Sequence, residues 1–194
     1  MDRWLGAALD YIPRWLEFQM RAFDRPGCIL AVVRNGKIID ERAFGFADAI
    51  RAVPLTPRHR FRVASHSKSF TAAGILKLRE RGRLKLDDAI GQHVGGLNPA
   101  IARATVQQVL SHSAGIRREV VDGAYFADRR PFPAAAQLAA DLKDSPPVIE
   151  ANTRLKYSNA GYGLLGLLIE AVTGEPYRAW IRREVIEAAG LTET

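Results

Sequence analysis

Several things are scarce in this chain of 194 residues, and each scarcity narrows what it can be. There is one cysteine, Cys28. A lone cysteine closes no internal disulfide, and Cys28 lies in an apolar run, where it reads as core rather than as a reactive thiol. The four histidines, His59, His66, His93 and His112, lack metal-ligand spacing, so no metal site is expected. No run approaches the roughly 18 apolar residues of a membrane span. Asp2, Arg3 and Asp10 interrupt any signal-peptide apolar region, so a cytoplasmic protein is expected unless a leader has been removed. There is no internal repeat and no low-complexity linker.

Acidic residues are the minority, 21 Asp+Glu against 28 Lys+Arg, for a net charge of +7. The basic excess is scattered as pairs, Arg117-Arg118, Arg129-Arg130 and Arg182-Arg183, without a long block or interleaved aromatics. That pattern speaks to solubility, and neither nucleic acid nor a membrane is expected as a partner. The remainder is ordinary globular composition, 47% hydrophobic and 25% charged, enough for one medium domain or two small lobes.

The chain is organised around Phe61-Arg-Val-Ala-Ser-His-Ser-Lys-Ser-Phe-Thr-Ala-Ala-Gly-Ile-Leu76. A short apolar run ends at Ala64 and a helical pattern follows, which predicts Ser65 at a strand-to-helix junction, in an N-cap position. Lys68 comes one helical turn later, so its ammonium shares a face with the Ser65 hydroxyl. A serine nucleophile needs such a partner within hydrogen-bond reach to take its proton. The helix start adds free N–H groups and a positive field where an oxyanion would form. Ala72, Ala73, Gly74, Ile75 and Leu76 predict a helix buried on most sides, and burial disfavours the charged form of a lysine.

The rest of the chain supplies a frame. Residues 3–23 read as an amphipathic helix, with Trp4, Leu5, Leu9, Ile12, Leu16 and Met20 at helical spacing. Strands over 28–33 and 37–44 flank Asn35-Gly36, a strong hairpin turn, and 45–60 reads as loop around Pro54 and Pro57. The Ser65 helix is expected to end near Arg81 at Gly82. Thr105 caps a helix to Leu110, 116–133 looks irregular, and a helix covers about 134–143 before Ser145-Pro-Pro147. Tyr157-Ser158-Asn159 precedes a second apolar helix that closes at Thr173-Gly174. A last helix starts near Pro176 and runs to about Ala189. His112, at a helix end with no acidic partner in view, reads as structural, and His66 carries no assigned role.

With both stretches in view, the sequence resembles the serine β-lactamase and penicillin-binding-protein-like superfamily, in its class C, esterase and D-aminopeptidase branch. The resemblance rests on Ser65-His66-Ser67-Lys68 and on Tyr157-Ser158-Asn159, in that order. Leu86-Asp87-Asp88, Leu110-Ser-His-Ser-Ala-Gly115 and Tyr162-Gly-Leu-Leu-Gly166 look similar too. It implies an α/β (α+β) two-lobe fold with an antiparallel sheet flanked by helices and a helical lobe, the sheet incomplete in this chain. It also implies an N-terminal part of the α/β lobe over 1–63 and a helical lobe over 64–174, with Ser65 between them. Residues 175–194 would then lead into a C-terminal α/β segment.

The implied function is a serine hydrolase without metal or organic cofactor, an esterase, peptidase or β-lactamase. Ser65 would attack an ester, amide or β-lactam carbonyl of a small-molecule or short-peptide substrate. Lys68 and Tyr157 would manage the proton, with the choice of base left open. Asn159 would bind the substrate amide or orient Lys68. The alternative is a catalytically silent penicillin-binding-type sensor or scaffold. The family's third motif, of the Lys-Thr-Gly or His-x-Gly type, does not follow Tyr157-Ser158-Asn159 here. The expectation is therefore a C-terminal segment of the same gene product, present as a second chain, that completes the sheet and the site.

Overall fold

The structure, a computed structural model, describes residues 2–119 and 134–194. It falls into two compact units, Met1–Arg62 and Val63–Thr194, and its described residues form an antiparallel three-stranded sheet and seven α-helices. The expected irregular stretch 116–133 lies, from residue 120 on, outside the described residues.

The first unit begins with helix α1, Arg3–Ala22, which buries Leu5, Leu9 and Pro13. Trp4 departs from the expected apolar stripe: it is 68% exposed. Strands β1, Gly27–Arg34, and β2, Lys37–Asp48, pair antiparallel with Arg34 opposite Lys37 and Cys28 opposite Phe44. Asn35 and Gly36 both have positive φ, 51° and 73°, as the two-residue turn that matches strand twist requires.

The loop expected over 45–60 is partly sheet. β2 continues to Asp48, and β3, Val53–Pro54, pairs back on it with Phe46 opposite Pro54. Asp48 makes the reversal: its Oδ1 accepts the N–H groups of Ile50 and Arg51, each at 3.0 Å. Pro54, read as a strand breaker, sits on an edge strand, where a missing N–H costs no ladder bond.

The second unit is built around helix α6, Asn159–Thr173, whose Leu164, Leu165, Leu168 and Ile169 are fully buried. Helices α2 (Ser67–Glu80), α4 (Val106–Leu110), α5 (Ala135–Asp144) and α7 (Tyr177–Ile181) pack on it, and the short α3 (Pro99–Ala102) lies nearby in sequence. Burying each such leucine contributes about 1.5–3 kcal/mol. α2 is not buried on most sides as expected. Thr71, Gly74, Ile75 and Leu78 form one buried face, while Leu76 is 42% exposed.

Gly74 lets α2 and α7 approach: a Cβ there would lie 2.7 Å from Ile181 Cδ1. Beside it, Thr71 Oγ1 and Tyr177 OH share a hydrogen bond of 2.7 Å. The far end of α2 is closed by paired bonds, Gly82 N–H to Arg79 O and Arg83 N–H to Leu78 O, both 2.9 Å. Thr105 and Gln108 form a reciprocal cap at α4. The final helix changes pitch, from α7 to a wider turn over Arg182–Ile186 and a tighter one over Glu187–Ala189.

Candidate active site

Ser65 stands on a turn rather than at the expected strand end and N-cap. Residues 61–63 are irregular, and Ala64–His66 form one tight 3₁₀ turn that runs into α2. Alternation of Phe61 and Val63 with Arg60 and Arg62 mimics a strand. Among the described residues no strand pairs with it. Ala64 takes φ 44°, a left-handed conformation that costs a residue with a Cβ about 1–2 kcal/mol. The turn is braced by His66, whose N–H and ring Nδ1–H both reach Val63 O, at 3.0 and 3.1 Å. The chain thereby turns sharply and leaves Ser65 exposed.

The structure brings the four sequence-derived site residues together. Ser65 Oγ lies 2.6 Å from Tyr157 OH, across 92 positions of sequence. Lys68 Nζ is 3.4 Å from Ser65 Oγ, at the loose end of hydrogen bonding, and donates to Asn159 Oδ1 at 2.6 Å. The same ammonium sits 4.8 Å from the centre of the Tyr157 ring. Lys68, and after it Ser65, holds the Tyr157 phenol below the ordinary tyrosine range, because each hydrogen bond favours the phenolate.

Three further groups hold this quartet, and apart from one helix cap their contacts are long-range in sequence. Ser158, only 3% exposed, caps α6 by accepting Gly161 N–H at 2.7 Å and donates to Arg117 O at 2.6 Å. Glu119 accepts from Asn159 Nδ2 at 2.7 Å, which turns the amide oxygen of Asn159 toward Lys68. His112 Nδ1 accepts the Ser158 N–H at 3.1 Å, and its ring lies 4.5 Å from that of Tyr157. Only Ser158 carried a local signal, a serine three residues before glycine at a helix start. Glu119 lies 40 positions from Asn159 and gave none.

Chemically, the hydroxyl of Ser65 has two proton acceptors in reach once deprotonated forms are available, the nearer being a phenol with a lowered pKa. Ser65 also precedes the start of a 14-residue helix, where the backbone field favours negative charge. Among the described residues no group of three His, Cys, Asp or Glu could hold a metal ion, and no helix is long and apolar enough to cross a membrane.

The chain as a whole has relatives. The curated Protein flp of Staphylococcus aureus (strain COL) is 30% identical over 188 residues, covering 92% of this chain and 36% of that protein. A putative penicillin-binding protein PbpX of Bacillus subtilis (strain 168) is 30% identical over 162 residues, covering 83% of this chain and 39% of its own length. This chain thus spans well under half of the curated relatives it matches. An octameric penicillin-binding protein homologue from Pyrococcus abyssi superposes with a TM-score of 0.85 at 27% identity, over 95% of this chain and 43% of that one. A class C β-lactamase mutant superposes with a TM-score of 0.82 at 26% identity, over 96% of this chain and 50% of that one. The family model described as Beta-lactamase matches residues 14–194, and with it the chain belongs to the serine β-lactamase and penicillin-binding-protein-like superfamily.

Proposed function

We propose that this chain carries the nucleophile and proton-transfer groups of a serine hydrolase that works through an acyl-enzyme at Ser65. The observation that carries the reading is the 2.6 Å contact of Ser65 Oγ with Tyr157 OH. In the first step Ser65 Oγ bonds to the carbonyl carbon of an ester, amide or β-lactam. The hydroxyl proton passes to the Tyr157 oxygen, and the carbonyl electrons move to its oxygen, which faces the Ser65 N–H. As the tetrahedral adduct collapses, the bond to the leaving group breaks and Tyr157 returns the proton to it. Water then cleaves the acyl-serine by the same steps in reverse order.

Lys68 serves this cycle by its charge, favouring the phenolate of Tyr157 and stabilising negative charge at Ser65 Oγ. Asn159 accepts from Lys68 and donates to Glu119, which supports an orienting role for it over direct substrate binding. The relatives are about twice as long as this chain or longer. We place the third motif, the second oxyanion donor and the strands that join β1 in a further segment of the same gene product. Substrate class would be decided there.

The test uses the full-length product with a chromogenic ester and a chromogenic cephalosporin. Turnover of either, lost in Ser65→Ala, supports the hydrolase. Stoichiometric labelling without turnover replaces it with an acylating sensor, and absence of both overturns the reading.

A further inference from the structure

His112 is bound to the site by more than packing. It closes α4 with a left-handed backbone, φ 60°, which turns its ring and its carbonyl toward the same stretch of chain. The carbonyl accepts the N–H of Lys156 at 2.8 Å. The ring Nδ1 accepts the N–H of Ser158 at 3.1 Å. The two bonds bracket Tyr157. The ring itself lies between Tyr157 and Tyr162, with centroids 4.5 and 5.0 Å away. Tyr162 is fixed in turn by donating to Leu110 O at 2.9 Å.

We propose that His112 is a positioning residue for Tyr157, fixing residues 156–158 through its carbonyl and through a neutral ring whose Nδ1 accepts from Ser158. The inference rests on the role given to Tyr157 above. An N–H donor facing Nδ1 requires the proton of the neutral ring at Nε2. Protonating Nδ1 would set two donors against each other and release the stretch that carries the phenol. It would also add a second positive charge near Lys68. The titratable and charged groups facing the ring are Lys68 from α2, Tyr157 from the stretch before α6 and Tyr162 from α6, with Arg118 5.6 Å from the Tyr157 ring. Burial first, and the charge of Lys68 second, push the imidazolium form down from the ordinary histidine range, which keeps Nδ1 an acceptor at neutral pH.

The test separates the acceptor from the backbone. Asn and Gly both tolerate a left-handed backbone, and both lose the ring, but only Asn places an acceptor near the position of Nδ1. In the full-length protein, labelling of Ser65 by a fluorophosphonate should slow about 10–100-fold in His112→Gly, the scale of a small misplacement of a reacting group. His112→Asn should recover most of that rate. The acid-side loss of labelling in the wild type, below the ordinary histidine range, should be weaker in His112→Asn, which has nothing to protonate there. Melting curves of both variants separate slow labelling from loss of fold. Equal rates in His112→Gly and wild type, beside a slow Tyr157→Phe, overturn this inference alone. A Tyr157→Phe variant that labels at the wild-type rate overturns the role of Tyr157 and this inference with it.

Discussion

At the start of α6, Ser158 is buried, accepts Gly161 N–H and donates to Arg117 O, while its own N–H is held by His112. At the start of α2 the turn Ala64–His66 has no side-chain cap bond, Ala64 is in a left-handed conformation, and Ser65 is exposed. Tyr157 is thus carried by a helix start with its polar groups satisfied, and Ser65 by a strained one. An exposed hydroxyl can be held in place without a satisfied helix start of its own. α2 is fixed from behind, by the closed C-terminal turn and by Lys77 and Arg81 on Glu184, and strain is tolerated only at its front.

The largest effect expected from breaking this asymmetry is chemical. Tyr157→Phe removes one hydroxyl from the anchored side and should lower turnover by about 10²–10⁴-fold, with a melting curve close to the wild type's. Steady-state kinetics with the better of the two chromogenic substrates decides; an unchanged rate demotes Tyr157 to packing.

Next comes stability. Ser158→Ala takes away the α6 cap and leaves Arg117 O without that donor, so urea unfolding should show a loss of about 1–3 kcal/mol. The corresponding change on the other side, Ala64→Gly, relieves a left-handed strain of about 1–2 kcal/mol against an unfolded-chain cost of about 0.4–1 kcal/mol. Its stability should match the wild type's or exceed it by up to about 1.6 kcal/mol. A large loss in Ala64→Gly and none in Ser158→Ala would reverse the comparison.

Much of the frame was legible because it depends on neighbours in sequence. Asn35-Gly36, the stop at Gly82 and the Thr105 cap are local chemistry, and each lies where its residues predict. Ser65 with Lys68 is a one-turn spacing, readable in the same way. Tyr157 was legible only through the resemblance, since nothing local says that a residue 92 positions away returns to Ser65. The strand expected before Ser65 failed because alternation without a pairing partner does not make a strand. β2 ran on past residue 44 because Asp48, by its own turn, folded β3 back on it. Glu119 and His112 were silent because their partners, Asn159 and Ser158, lie 40 and 46 positions away.

A smaller, pH-dependent effect tests the anchoring of α2 from behind. Arg81 first, then Arg183, hold the Glu184 carboxyl down at about 2, below its usual range. A carboxylate with a depressed pKa contributes stability that is whole above its unfolded value of 4.5 and is lost as pH falls toward 2. Melting temperature should therefore decline across that window in the wild type and less steeply in Glu184→Gln. Added salt should narrow the gap between them, because the pairs are near the surface. Parallel pH curves would remove Glu184 from the account.

Ser65 Oγ is the nucleophile on which the proposed acyl-enzyme forms. Intact-mass and peptide-mapping measurements on the full-length protein after exposure to a fluorophosphonate locate that nucleophile. One adduct per chain is expected, on Ser65, absent in Ser65→Ala and slowed in Tyr157→Phe. An adduct mapped to any other residue, or one that persists in Ser65→Ala, would contradict it.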